Sequence, residues 1–112
     1  MVIQDSVAIA AGVTTDVLQN FINAVIDPAA RGAVVRFAYD ASATGMDAEG
    51  WIGQRNVIER GLASITNRIP IEPDDVVDRN LPARPNERIR LFGINTTGGA
   101  LNFFFRVTVD EL

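Results

Sequence analysis

The sequence has no cysteine, no histidine and no lysine among its 112 residues. Without cysteine it can form neither a disulfide framework nor a thiolate nucleophile. Without histidine it has no imidazole base for a Ser-His-Asp triad and no imidazole ligand for a metal. Without lysine it cannot form a Schiff base or complete a phosphate-binding loop. These absences remove most common catalytic mechanisms, so we expect a protein that is not an enzyme and uses no metal or cofactor.

The remaining composition is that of a globular domain with an acidic balance. Hydrophobic residues make up 47% of the chain and charged residues 21%, with a net charge of -4, which is ordinary for a folded domain. The length suits one domain over residues 1–112. The negative charge disfavours nucleic acid, and no stretch approaches the roughly 18 apolar residues that span a bilayer. We therefore expect neither a nucleic acid nor a membrane as partner.

Short runs of alternating apolar and polar residues recur along the chain and predict β-strands. In residues 32–40, for example, Val35, Phe37 and Tyr39 fall on one face of the strand. The predicted strands cover residues 3–11, 32–40, two short segments of 46–60 around Gly53, 75–78, 88–95 and 100–109. Their spacing of roughly ten residues is typical of sandwiches and jelly rolls. The sequence thus predicts an all-β fold, a single antiparallel β-sandwich that is jelly-roll-like.

Residues 17–26, VLQNFINAVI, are compatible with two kinds of secondary structure. Their apolar pairs recur every four residues, which favours a short helix that begins after Asp16 and ends before Pro28. The same residues could form a strand that is buried on both faces. Both interpretations stay open for this segment.

The end of the chain predicts a hairpin with one core face and one outer face. Residues 96–99, TTGG, predict its turn, because glycine readily adopts positive φ. In the last strand, Phe103 and Phe105 alternate onto the core side, whereas Phe104 and Arg106 fall on the other side. Interface cores are enriched in aromatic residues and arginine and depleted in most charged residues. We therefore predict a protein–protein interface anchored by Phe104, Arg106, Arg90 and Phe92.

Other polar clusters carry weaker chemical signals. The acidic run in residues 72–78 could hold Ca²⁺ through its carboxylates, but it lacks the alternating spacing of a calcium loop and is interpreted as a solvated turn. A carboxylate pair for glycoside hydrolysis could be drawn from several acids, and nothing in the sequence sets their separation. The candidates for these two roles are Glu72, Asp74, Asp75, Asp78, Glu87 and Glu49.

Two more motifs lie near the end of the chain. The tripeptide beginning at Asn95 matches a glycosylation acceptor, a match that is frequent by chance. Arg84, Arg88 and Arg90 surround Glu87, and in this acidic chain they are interpreted as a rim of ion pairs to a neighbouring protein.

Three stretches of the sequence resemble a family of short β-sandwich proteins of bacteriophage particles. They read SVAIAAGVTTDVL at 6–18, TNRIPIEPDDVV at 66–77 and ERIRLFGINTTGGALNFFFRVTV at 87–109. The second and third resemble a crossing and closing hairpin of that family, and the first resembles its opening strand. The chain departs from the family at residues 19–32, although the resemblance favours an extended conformation for residues 17–26.

The resemblance implies a structural role in the virion. Such proteins are capsid cement (decoration) or minor coat subunits, often symmetric trimers on the capsid surface that contact a major capsid protein. We therefore expect a homotrimer that stabilises a shell through protein contacts, without a cofactor. The alternative is a stand-alone ligand-binding sandwich, similar to a carbohydrate-binding module, although Trp51 and Tyr39 are the chain's only tryptophan and tyrosine.

Overall fold

A computed structural model describes residues 1–65, 67–70 and 76–112, with residues 76–79 described through their backbone. Over these residues the chain forms eight β-strands and one short 3-10 helix, Ile22–Ala24. The strands are β1 (Val2–Ile9), β2 (Thr14–Asp16), β3 (Ala33–Ala41), β4 (Met46–Ile52), β5 (Arg55–Leu62), β6 (Val76–Ala83), β7 (Ile89–Asn95) and β8 (Leu101–Glu111).

The strands form two four-stranded antiparallel sheets that pack face to face. Sheet A has the order β1-β8-β3-β6, and sheet B has the order β2-β7-β4-β5. Most consecutive strands therefore lie in different sheets, and β4 and β5 are the one consecutive pair that shares a sheet among the described residues. This arrangement of two interleaved Greek keys is that of a jelly roll. The predicted all-β, jelly-roll-like sandwich is confirmed.

Alternation along the strands produces the core. On β8 the residues Phe103, Phe105 and Val107 are fully buried, and the predicted core face of this strand is confirmed. Tyr39 on β3 stacks on Phe103, with ring centroids 5.9 Å apart. Sheet B contributes buried residues from β4 and β7, among them Leu91. Each such large side chain contributes about 1.5–3 kcal/mol through burial.

A glycine lets the two sheets approach closely at the centre. A Cβ atom on Gly93 would lie 2.5 Å from Cδ1 of Ile9 and 3.2 Å from the ring of Phe103. Such distances are shorter than van der Waals contact, so a side chain at residue 93 would force Ile9 and Phe103 to shift within the packed core.

The predicted hairpin between residues 88–95 and 100–109 is wrong. Both segments are strands, but β7 pairs with β2 and β4, whereas β8 pairs with β1 and β3. Residues 96–100 carry the chain from one sheet to the other. Gly98 and Gly99 are also absent from the positive-φ glycines of the described residues, which are Gly12, Gly32, Gly45 and Gly53. Packing the two apolar strand faces against each other buries both, which favours the crossing.

The buried amide of Asn95 fixes this crossing between the sheets. Asn95 is 1% exposed, and its Nδ2 donates to the carbonyl oxygens of Ile9, at 2.9 Å, and Gly99, at 2.7 Å. Its Oδ1 accepts from the backbone N–H of Thr97, at 2.9 Å, and from the Thr97 hydroxyl, at 2.7 Å. The side chain thus holds β1, the end of β7 and the connecting turn together, and it is inaccessible to a glycosylating enzyme.

Residues 17–26 form neither of the two elements considered for them. They run through turns and the 3-10 helix Ile22–Ala24. Leu18 is fully buried and Phe21 packs edge-on against Phe105, with ring centroids 6.3 Å apart, whereas Ile22 is 87% exposed. The apolar residues therefore cover the open end of the core without a regular repeat of backbone hydrogen bonds.

The proline-rich crossing contains a longer strand than expected. A strand was predicted at 75–78, and β6 extends over Val76–Ala83. It includes Pro82, which is tolerated because β6 is an edge strand of sheet A. The acidic candidates Glu72, Asp74 and Asp75 lie outside the described residues.

Replacing Asn95 with alanine should destabilise the fold markedly. The change removes four side-chain hydrogen bonds and takes from the buried carbonyl oxygen of Ile9 its amide donor, at a cost of about 2–4 kcal/mol. Chemical denaturation monitored by circular dichroism measures this loss. As a matched control, Asn102→Ala removes an exposed amide from β8 and should change stability by less than about 0.5 kcal/mol. Equal stabilities of the two variants would contradict the role given to Asn95.

Candidate functional site

The sandwich presents two outer faces, and the four predicted anchors are divided between them. Phe104 and Arg106 alternate with buried residues of β8, so they lie on the outer face of sheet A. Arg90 and Phe92 alternate with buried residues of β7, so they lie on the outer face of sheet B. The four residues therefore form two separate pairs on opposite sides of the molecule. The single predicted interface is thus divided into two surfaces, one on each sheet.

The outer face of sheet A is partly covered by the chain itself. Phe104 lies between Ser6 on β1 and Asp40 on β3, and Arg106 lies opposite Ala38. Ala38 and Asp40 are both only 1% exposed, although they are on this outer face. Phe104 and Arg106 are half-buried. Phe104 is thus packed along one side and leaves part of its ring on the surface.

The outer face of sheet B carries a tryptophan that is held in place by a carboxylate. Trp51 and Glu49 are two residues apart on β4, so their side chains leave the same face of the strand. Nε1 of Trp51 donates to Oε1 of Glu49 at 2.5 Å. Across the strand pair, Arg90 is opposite Trp51 and Phe92 is opposite Glu49. These four side chains form one patch, which we call the Trp51 patch.

Sequence reasoning did not identify Trp51 and Glu49 as partners. Trp51 was considered as an aromatic of a ligand-binding sandwich, and Glu49 as a candidate acid. Ile52 and Ile58 are buried, whereas Trp51 and Val57 are half-buried. The feature of the sequence that indicates this pair is the spacing of two residues between Glu49 and Trp51, because on a strand it places a donor and an acceptor side by side.

The polar groups that border the Trp51 patch mostly have partners within the chain. Oδ2 of Asp47 lies 3.0 Å from Nε of Arg60, and Nδ2 of Asn56 donates to the carbonyl oxygens of Gly50 and Ile58. Arg90 is exposed, and its guanidinium makes no hydrogen bond or ion pair with the residues that the structure describes.

The apolar groups beside the patch remain open to solvent. Ile94 is half-buried, and Leu62, opposite Asp47 on β5, is 63% exposed. The outer face of sheet B thus combines uncovered apolar side chains with polar groups that are already paired.

The four sheet edges each carry a feature that hinders pairing with another strand. β2 is only three residues long, and the β4–β5 and β3–β6 pairings contain register shifts. β1 is regular, but its Asp5 lies opposite the buried Phe105 and therefore on the inward side of the strand. Short edges, bulges and inward-pointing charges are known to prevent edge-to-edge association. The outer faces, not the edges, are the surfaces suited to contact.

Two arginines, Arg55 and the predicted rim residue Arg88, make contacts within the molecule. Nη2 of Arg55 contacts Oε1 of Glu87 at 2.8 Å and the carbonyl oxygen of Pro82 at 2.9 Å, joining β5 to the end of β6. Nη2 of Arg88 donates to the carbonyl oxygens of Leu18 and Gln19. Arg88 therefore holds the turn after β2, and its assignment to an ion-paired rim with a neighbour is not supported by this geometry.

Over residues 1–65, 67–70 and 80–112, whose side chains the structure describes, the acidic side chains do not gather into groups of three that could hold a metal ion. No helix in the same part of the chain is long and apolar enough to cross a membrane. Comparison of the chain with protein-family models, curated proteins and solved structures found no match.

Removal of the Glu49 carboxylate should release the Trp51 ring. In Glu49→Ala the indole N–H loses its charged acceptor, so we expect a red-shifted emission and lower fluorescence anisotropy, with about 1 kcal/mol of stability lost at most. Trp51 is the chain's only tryptophan, so the emission reports this patch alone. Glu59→Ala, which removes an exposed carboxylate from β5, is the control and should leave the spectrum unchanged. A wild-type spectrum in Glu49→Ala would show that the carboxylate does not hold the ring.

Proposed function

We propose that this protein is a virion structural subunit, a capsid cement (decoration) or minor coat protein, that acts by contacts with other protein subunits. The jelly roll is compatible with this role, since viral capsid proteins use it, but lectins and cupins use it as well, so the fold alone does not decide. The observation that carries the proposal is the pairing of half-buried aromatic residues with arginine on both outer faces. These are the residue types that concentrate at the centre of interfaces.

Two docking faces suit a subunit with two kinds of neighbour. In the proposed role the chain associates with itself, as a homotrimer on the capsid surface, and with a major capsid protein. Each contact would bury an outer sheet face and the adjoining loop edges, and about 800 Å² per partner is ordinary for a stable complex. Phe104 and Arg106 would anchor the contact on sheet A, and Arg90 and Phe92 the contact on sheet B. The proposal involves no reaction, cofactor, nucleic acid or membrane.

The alternative function is saccharide binding, and the exposed part of Trp51 is the observation that favours it. Sugars bind to proteins by stacking on an aromatic ring while nearby polar groups form hydrogen bonds. Here Glu49, Asp47 and Asn56 are already engaged within the chain. Tyr39 is 7% exposed and stacked in the core, so it cannot add a second platform. A glycan array tests this alternative directly, and a subunit of the proposed kind should bind no saccharide.

The native mass of the purified chain should show a discrete oligomer. The proposed role requires self-association, and a trimer is expected from native mass spectrometry or light scattering. Closed shells visible by electron microscopy would instead favour a coat subunit. A chain that stays monomeric at high concentration would contradict the self-assembly on which the proposal depends.

Replacing Phe104 with aspartate should leave the monomer folded and block assembly. Phe104 points away from the core, so the sandwich should still form, although the new carboxylate lies opposite Asp40 and costs some stability. In a contact surface the same carboxylate would be desolvated without a partner. Light scattering should show a fall in molecular mass, and circular dichroism should show an unchanged fold.

Two variants serve as controls for this change. Phe104→Leu keeps an apolar contact and should assemble, and Asn102→Asp adds the same charge to the same strand at an exposed position. If Phe104→Asp assembled as well as these two, sheet A would not be a contact surface between copies.

A further inference from the structure

We propose that the Trp51 patch on sheet B is the contact between two copies of this chain, related by a two-fold axis. This inference rests on the proposed function. A two-fold contact on sheet B is separate from the three-fold contacts within a trimer, and it would join two trimers face to face. Three properties of the patch identify the partner. They are the pairing of its polar groups, the charge of Arg90, which is unpaired among the described residues, and the position of Arg90 relative to Glu49.

The pairing of the polar groups favours a protein partner over a sugar. A saccharide needs free donors and acceptors around the aromatic ring, because it brings many hydroxyl groups that must not be left unpaired. The carboxylate of Glu49 accepts from Trp51, and Asp47 pairs with Arg60. What remains uncovered is Arg90 together with apolar surface, most of all Leu62, which is 63% exposed. An apolar centre with satisfied polar neighbours is the arrangement found where proteins dock.

The charges on the patch are complementary to each other. Arg90 is exposed and makes no hydrogen bond or ion pair from its guanidinium with the described part of the chain. Glu49 accepts a hydrogen bond from Trp51 and has no cation beside it among the described ion pairs. A second copy of the same patch would therefore supply a carboxylate and an aromatic face for the arginine, and an arginine for the carboxylate.

Because of the strand register, the opposite charges of two copies come together when the copies are related by a two-fold axis. Arg90 on β7 lies directly opposite Trp51 on β4. Two copies can meet through their sheet B faces around a two-fold axis that runs parallel to β4 and β7 and midway between them. This axis places β7 of each copy over β4 of the other copy. Each Arg90 then lies over Trp51 and Glu49 of the other copy, and both contacts are identical, as in any isologous interface. The guanidinium would stack on the indole ring and meet the carboxylate at the same time.

The size of the face sets the expected strength. Strands of seven residues on β4 and β7 at about 3.3 Å per residue, in a sheet four strands wide at about 4.8 Å per strand, give a face of roughly 20 by 20 Å. This contact is at the small end of specific interfaces. We therefore expect dissociation constants in the micromolar range.

Charge exchange between two single variants tests the contact. Arg90→Glu places two carboxylates in each contact, and Glu49→Arg places two guanidinium groups there, so each variant alone should associate at least ten-fold more weakly than the wild type. Mixing the two restores opposite charges at both positions of a mixed pair, so association should return. Sedimentation velocity measures each case, and protection of Trp51 from acrylamide quenching reports whether the patch is covered. Arg31→Glu makes the same charge change at an exposed position before β3 and should associate like the wild type.

The outcomes separate this inference from the proposed function. If the wild-type chain stays monomeric, self-assembly itself fails. If the wild type associates and both variants do so equally well, with Trp51 still open to acrylamide, the proposed function stands and the Trp51 patch is not the contact. Loss of association in both variants without recovery on mixing would overturn the two-fold pairing. Quenching or a blue shift of Trp51 by a saccharide, with the chain monomeric, would overturn the inference in favour of a sugar site.

Discussion

The packing of the two inner sheet faces determines which side chains of each strand point outward. Phe103, Phe105 and Val107 are fully buried between the sheets, and because strand side chains alternate, Phe104 and Arg106 must point outward. A shift of β8 by one residue would bury Arg106 and expose Phe103 and Phe105. The outer faces are thus determined by the core, and any function carried by these faces depends on the inter-sheet contact.

The strands themselves could be predicted well from the sequence, whereas their distribution between sheets could not. Alternation placed most segments correctly, because the period of two reflects one buried face per strand. It contains no information about which strand lies beside which. The segment before residue 96 and the segment after it look like the two arms of a hairpin, yet Asn95 turns the chain into the other sheet through hydrogen bonds to Ile9 and Gly99. A buried amide with this role resembles an ordinary turn residue in the sequence.

The same limit explains what happened to the predicted interface residues. Phe104 and Arg106 were correctly placed on the outward side of their strand, but the assignment of β7 and β8 to one hairpin put Arg90 and Phe92 on the same surface. The residues 17–26 show a second limit. Their apolar pairs were read as a helical stripe, but Leu18 and Phe21 cover the end of the core from an irregular segment, where burial replaces regular backbone pairing.

The arginines show how a single residue type can serve opposite purposes in a chain without lysine. Arg55 and Arg88 donate to carbonyl oxygens and close one end of the sandwich, and Arg60 pairs with Asp47 on the surface. These contacts use the planar guanidinium to satisfy acceptors within the molecule. Arg90 differs because it lies on an open sheet face opposite Trp51, and the carboxylate of Glu49 is on the neighbouring strand. The sheet edges are short, bulged or charged on the inward side, so association by strand pairing is hindered. The outer face of sheet B, with Arg90 unpaired in the described part of the chain, is therefore the surface suited to bind another protein.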